Sequence, residues 1–283
     1  MRSRANGSLI LALILCCLTI STNAEPLKDG KTGNAWPNEF LNVASIGYKH
    51  DGDNLEQYQF CTGTMITWKH VITAAHCFFG KTKTEVQVLL GSRNLKSCSK
   101  IDIGSWITYE EWLFQNHKVS DNKDRNIGII TLSSPFGGLK VKPAILLLDD
   151  IPNLFGSRVS LAGWGIMKDG SSPKTLQVAN SIILPNEQCQ QHESLLSLRP
   201  TIFNGKYYCT KAPPFFTCGD DGGPLFLKQK VLIALNQGLC VESKQSHPAQ
   251  LNTHLRIAPF KEFIFDIVKE EEGQELKLFV PVH

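Results

Sequence analysis

The sequence predicts an all-β protein that closes on a single packed helix. Three observations carry this. Short apolar or alternating runs recur at 43–48, 58–66, 86–90, 127–132, 159–164, 176–184 and 231–235. Gly, Pro, Asn and Asp interrupt them, and no helix-length amphipathic stretch lies between them, which favours a sandwich or barrel over alternating βαβ units. After the last run, Phe260, Phe263, Ile264, Ile267 and Val268 fall at i, i+3, i+4, i+7 and i+8, the stripe of a helix laid by one face onto a core.

Taken in order, the chain opens with Met1-Arg2-Ser3-Arg4, a 9–20 apolar stretch and the small-residue site Thr22-Asn23-Ala24. That is the pattern of a secretory signal peptide cut after Ala24, and the stretch is too short to span a bilayer. The expected organisation is a signal at 1–24, a short segment at 25–34, one domain at 35–269 and a tail at 270–283. A formal net charge of +3, from which the leader removes Arg2 and Arg4, excludes the concentrated positive charge that nucleic-acid binding needs. No membrane partner is expected. Of nine cysteines, Cys16 and Cys17 leave with the signal. An odd number remains, so in an oxidising compartment one thiol is left over.

Three segments carry chemistry. In Thr73-Ala74-Ala75-His76-Cys77, a histidine sits beside a cysteine 16 positions after Cys61; held at the end of a strand pair, such an imidazole suits a general base. In Cys218-Gly219-Asp220-Asp221-Gly222-Gly223-Pro224, consecutive glycines let the backbone turn tightly and present N–H groups to a reacting oxygen. The third is Gly163-Trp164-Gly165.

Together these resemble the chymotrypsin/trypsin-like serine proteases, whose hallmarks are Thr-Ala-Ala-His-Cys, Gly-Asp-Ser-Gly-Gly-Pro and Gly-Trp-Gly. The resemblance runs from about Ala35 to the terminal helix. It implies two six-stranded antiparallel β-barrels with a cleft between them, and the disulfides Cys61–Cys77, Cys189–Cys209 and Cys218–Cys240. Cys98 then has no family partner: it is either a buried or capped thiol or the link to a disulfide-bonded partner.

The chain departs from the family where the chemistry sits. The serine position holds Asp221, a carboxylate with no hydroxyl proton for His76 to remove. The aspartate that orients the imidazole is matched by Asn126, unless the register slips to Asp124. An amide there can select the wrong tautomer. Asp220 is present, yet 25–34 contains no Ile/Val-Val-Gly-Gly terminus to pair with it. Cys218 abuts Gly219 directly, one residue short of the family spacing in the oxyanion loop formed by Gly219 and Asp220. Phe216 falls at the floor of the specificity pocket, and the substrate-receiving strand reads Asn236-Gln237-Gly238.

These departures lead to the expectation of a non-catalytic homologue that binds extracellular proteins, active proteases or their substrates among them; the alternatives are an active serine-type endopeptidase with an atypical site and a small-ligand-binding protein that uses the degenerate cleft. No cofactor and no metal is expected. The acidic run 50–56 lacks calcium-loop spacing and reads as a solvated turn. The tail past Lys269 is expected to fray.

Overall fold

The computed structural model describes residues 32–120, 125–138, 140–149, 151, 154–167, 169–189, 206–211, 220–237, 251–269 and 275–279. The first barrel contains β2 (Val43–Tyr48), β3 (Gln59–Met65), β4 (His70–Thr73), β5 (Val86–Leu90), β6 (Ser99–Thr108) and β7 (Gly128–Leu132). It closes in the order β2-β3-β4-β7-β6-β5, with every pairing antiparallel. Closure leaves these strands without a free edge.

The second barrel contains β9 (Arg158–Gly163), β10 (Gln177–Ile182), β11 (Tyr207–Lys211), β12 (Pro224–Leu227), β13 (Val231–Asn236) and β14 (Leu251–Arg256). Its path runs β10-β9-β12-β13-β14-β11. An antiparallel bridge from Ile183 to Thr210 brings β11 back to β10. The Leu184 N–H donates to the Cys209 carbonyl at 2.9 Å beside it. The trypsin-like architecture that the resemblance implies is there: one closed six-stranded antiparallel barrel, and a second sheet of nine strands whose six-stranded antiparallel path curls back on itself through a single bridge, with three further short strands added to it.

Both barrels contribute to one shared cluster beside the core that each has of its own. Ile72 and Ile129 of the first share a buried cluster with Phe226, Leu235 and Leu255 of the second and with Phe260, Phe263 and Ile264 from the C-terminal end. The terminal helix, Lys261–Lys269, forms as its stripe requires, with Phe263 and Ile264 fully buried. Each large side chain buried this way contributes about 1.5–3 kcal/mol.

Three elements differ from expectation. A seven-residue helix, α1 (Tyr109–Gln115), follows β6, so the terminal helix is α2. The Thr108 hydroxyl accepts from the Glu111 N–H at 3.2 Å, while the Glu111 carboxylate accepts from the Thr108 N–H at 2.7 Å. This reciprocal cap nucleates a helix too short to show periodicity. Next, the last residues of the 25–34 segment form β1 (Thr32–Asn34), paired to β10. Finally, the tail does not fray over 275–279: β15 (Lys277–Leu278) pairs in parallel with β8 (Ile145–Leu146), and Phe279 packs on the second barrel's core.

The disulfides Cys61–Cys77 and Cys189–Cys209 are formed; Cys218 and Cys240 lie outside the described residues. The Cys98 thiol packs against the core and donates to the Ser92 carbonyl at 3.2 Å. Burial pushes its pKa up to about 12. A thiol so held carries almost no thiolate. Among the described residues, no helix is long and apolar enough to cross a membrane.

Candidate functional site

His76 stands on a 3₁₀ turn, Ala75–Phe78, that leaves the end of β4. The disulfide from Cys77 to Cys61 on β3 fixes that turn to the barrel wall. Asn126 immediately precedes Ile127 and β7. Asp221 sits in the turn before β12, pinned to the first barrel because the Thr62 N–H donates to the Asp221 carbonyl at 2.9 Å. Gly222 makes that turn possible. Its φ is 76°, and a Cβ there would lie 2.1 Å from Thr73 Oγ1, so no other residue fits between the barrels.

The three side chains meet. His76 Nε2 is 3.2 Å from Asp221 Oδ2. His76 Nδ1 lies 3.1 Å from Asn126 Oδ1 and 2.9 Å from Asn126 Nδ2. The amide's orientation is fixed from both sides. Its oxygen accepts from the His76 backbone N–H at 3.0 Å, and its NH₂ donates to Gln237 Oε1 at 2.5 Å. Gln237 thus turns its side chain onto Asn126, where the sequence placed it on the substrate-receiving strand. No local pattern announced that role.

An ionised Asp221 accepts only, so it demands a proton on Nε2. Nδ1 can then either receive an N–H from Asn126 or donate to its oxygen. The site accommodates both the Nε2–H neutral ring and the imidazolium. The hydrogen bond that Asp221 accepts raises the His76 pKa above its usual value; burial works against it, and the Asp221 charge and Asn126 work with it. A base that removes a proton from a nucleophile needs Nε2 free, and here Nε2 is engaged.

Asp220 points the other way. Its Oδ1 accepts from the Gly165 N–H at 2.8 Å, and the approach is open only because Gly163 lacks a Cβ, which would lie 1.9 Å from that oxygen. No cation pairs with Asp220 among the described residues. Burial is the main reason its pKa rises to about 8, with the Asp221 charge adding to it. Asn236 lies against the same turn, its amide donating to the Asp220 carbonyl at 3.2 Å. Asp124, Phe216, Gly219 and Gly238 lie outside the described residues.

The acidic run at 50–56 does not converge. Asp53 pairs with Lys96 at 3.2 Å. Glu56, expected in a solvated turn, is instead 8% exposed and faces Lys174 at 3.4 Å. The one cluster of potential metal ligands among the described residues is Cys61, His76 and Cys77, and the disulfide leaves its sulfurs without the thiolate that metal binding needs.

The amino-acid sequence has known relatives. The chain is 29% identical over 195 residues to a venom serine protease of Polistes dominula, covering 66% of each chain. It is 32% identical over 208 residues to a chymotrypsin of Phaedon cochleariae, covering 68% of this chain and 64% of that one. A snake venom serine protease of Crotalus durissus durissus is 26% identical over 221 residues, covering 74% and 78%. The match thus spans just under two thirds of the first two relatives. The trypsin family model covers residues 34–264, both barrels and the start of α2, and the chain belongs to the trypsin family.

Proposed function

We propose that this chain is a secreted, non-catalytic member of its family. It acts by binding other proteins, as a regulator, cofactor or decoy in an extracellular proteolytic cascade such as those of immunity or venom. One observation carries the reading. The position of the family's nucleophile holds the Asp221 carboxylate, and its Oδ2 lies 3.2 Å from His76 Nε2. Acyl transfer needs an alcohol whose proton passes to that nitrogen. Asp221 has no such proton, and it occupies the nitrogen that would accept one. The venom names of two relatives support an extracellular setting, and rigid barrels with surface loops provide a scaffold for recognition once chemistry is lost.

The purified chain is expected to show neither labelling by a serine-directed phosphonate nor turnover of Arg, Phe or Ala peptide substrates. Labelling mapped to any serine would overturn the proposal. That outcome would favour the second reading, an active endopeptidase with an atypical site, which the protease names of the relatives support. Affinity capture from the native extracellular fluid then identifies the partner.

A further inference from the structure

Cys61, His76 and Cys77 each offer one donor atom, and those three atoms lie within 4.8 Å of one another. Hydrogen bonds hold all three residues independently of the bond between the sulfurs. Cys61 lies within β3, directly across from Ile46 of β2. The Cys77 N–H donates to the Ala74 carbonyl at 3.2 Å, and the His76 N–H to Asn126 Oδ1 at 3.0 Å. Both cysteines are buried, whereas 35% of the His76 side chain faces solvent and opens a path for a small ion or reagent.

The spacing suits a tetrahedral metal. Two thiolates on one zinc stand about 3.8 Å apart, given Zn–S bonds of about 2.3 Å. Cysteines whose Cα atoms are 6.1 Å apart reach that separation by turning about Cα–Cβ. An imidazole and a carboxylate on the same ion stand about 3.4 Å apart, and Asp221 Oδ2 is 3.2 Å from His76 Nε2. Asp221 adds an independent sign. It is 6% exposed, and its other oxygen, Oδ1, makes no hydrogen bond. A buried carboxylate oxygen left unpaired is costly, and a cation beside it offsets that cost. The Asp221 main-chain carbonyl also lies 3.9 Å from Cys77 Sγ, so this residue borders both the ring and the sulfurs. Soft sulfur joined to imidazole selects zinc over calcium or magnesium.

We propose that a dithiol reductant turns this cluster into a zinc site with Cys61, Cys77, His76 and Asp221 as ligands. One thiolate of the reductant attacks the Cys61–Cys77 bond and its second thiol resolves the mixed disulfide. The reductant leaves as a disulfide, and Cys61 and Cys77 keep its two electrons and two protons as thiols. Zinc then displaces those protons to solvent. The ion takes over from the covalent link between β3 and the His76 turn, and keeps that turn fixed in reducing surroundings. This holds whether or not the oxidised chain hydrolyses peptides.

The test titrates cobalt(II), then zinc, into the purified chain after treatment with dithiothreitol and anaerobic removal of the reagent. One bound cobalt with the visible bands of a tetrahedral ion and a cobalt–thiolate band is expected, and zinc should bleach both. The double variant C61S/C77S keeps every other cysteine and should lose these bands. His76→Gln and Asp221→Asn leave the disulfide intact, so their melting temperatures verify folding before reduction; each should weaken zinc binding at least about tenfold. Zinc should raise the melting temperature of the reduced chain and leave that of the oxidised chain unchanged. An unaltered cobalt spectrum in C61S/C77S, or undiminished zinc affinity in His76→Gln, assigns the metal to other thiols and overturns the proposal. Undiminished affinity in Asp221→Asn strikes the fourth ligand, and equal zinc affinity before and after reduction strikes the redox gate; either result overturns the site as stated.

Discussion

At the scale of residues, the outcome turns on which nitrogen of His76 carries the proton. Asp221 holds it on Nε2, and Asn126 accepts the consequence because its amide offers Nδ1 either an oxygen or an NH₂. Replacing Asp221 by Asn removes both the hydrogen-bonded anion and its charge, two of the three influences that raise the imidazole pKa, the third being Asn126. In D221N the His76 pKa should fall below its value in the unaltered chain, read from the ring proton shift by NMR titration. An unchanged pKa would show that the pair does not form in solution. A second variant separates the two lost triad positions. In D221S alone the Asn126 amide still permits the wrong tautomer, so phosphonate labelling should be slower than in N126D/D221S by about 10⁴. Equal rates would show that residue 126 does not orient the ring. His76, Asn126 and Asp221 were legible because each lies in a short pattern with a fixed chemical task. Gln237 was not. It acts through an inter-barrel neighbour, Asn126, and nothing adjacent in the chain records that neighbour.

At the scale of elements, strands were readable where one run is buried throughout, as in β5, whose residues are all buried. β6 was harder. Its ten residues carry a half-exposed pattern broken by a register shift between Ile103 and Ser105, so apolar alternation fails where the strand bends. Helix α1 escaped for a different reason: seven residues give fewer than two full turns of periodicity, and only the Thr108 and Glu111 pair marked its start. Thr108→Ala should therefore cost about 1 kcal/mol in chemical denaturation, the usual value of a lost N-terminal cap. A loss near zero would mean that packing of Tyr109 and Trp112 alone holds the helix. By contrast, Phe263→Ala in α2 empties a fully buried site and should cost about 3–5 kcal/mol.

At the scale of the whole molecule, three ionisable groups, Asp220, His76 and the fully buried His254, set how stability varies with pH. Asp220 is raised from 3.8 to about 8, so between those values the folded chain keeps a proton that the unfolded chain has released, and stability falls as pH rises. His254 is lowered from 6.5 to about 3. Over that interval the unfolded chain holds the extra proton, and stability falls as pH drops. Between 3.8 and 6.5 the two contributions oppose each other, one proton against one proton, and cancel. Above 6.5 His254 is neutral in both states and no longer opposes Asp220. His76, whose folded pKa is raised, contributes stability that is complete below 6.5 and is lost as pH climbs through its folded value. Asp220 and His76 then act in the same direction. The melting temperature should accordingly decline between pH 6.5 and 8, and D220N, which keeps the shape but cannot ionise, should remove most of that decline. A melting temperature at pH 8 equal to or above that at 6.5 would mean that a cation reaches the buried carboxyl in solution and holds it ionised, in which case the barrels close around a charge pair instead of a protonated acid.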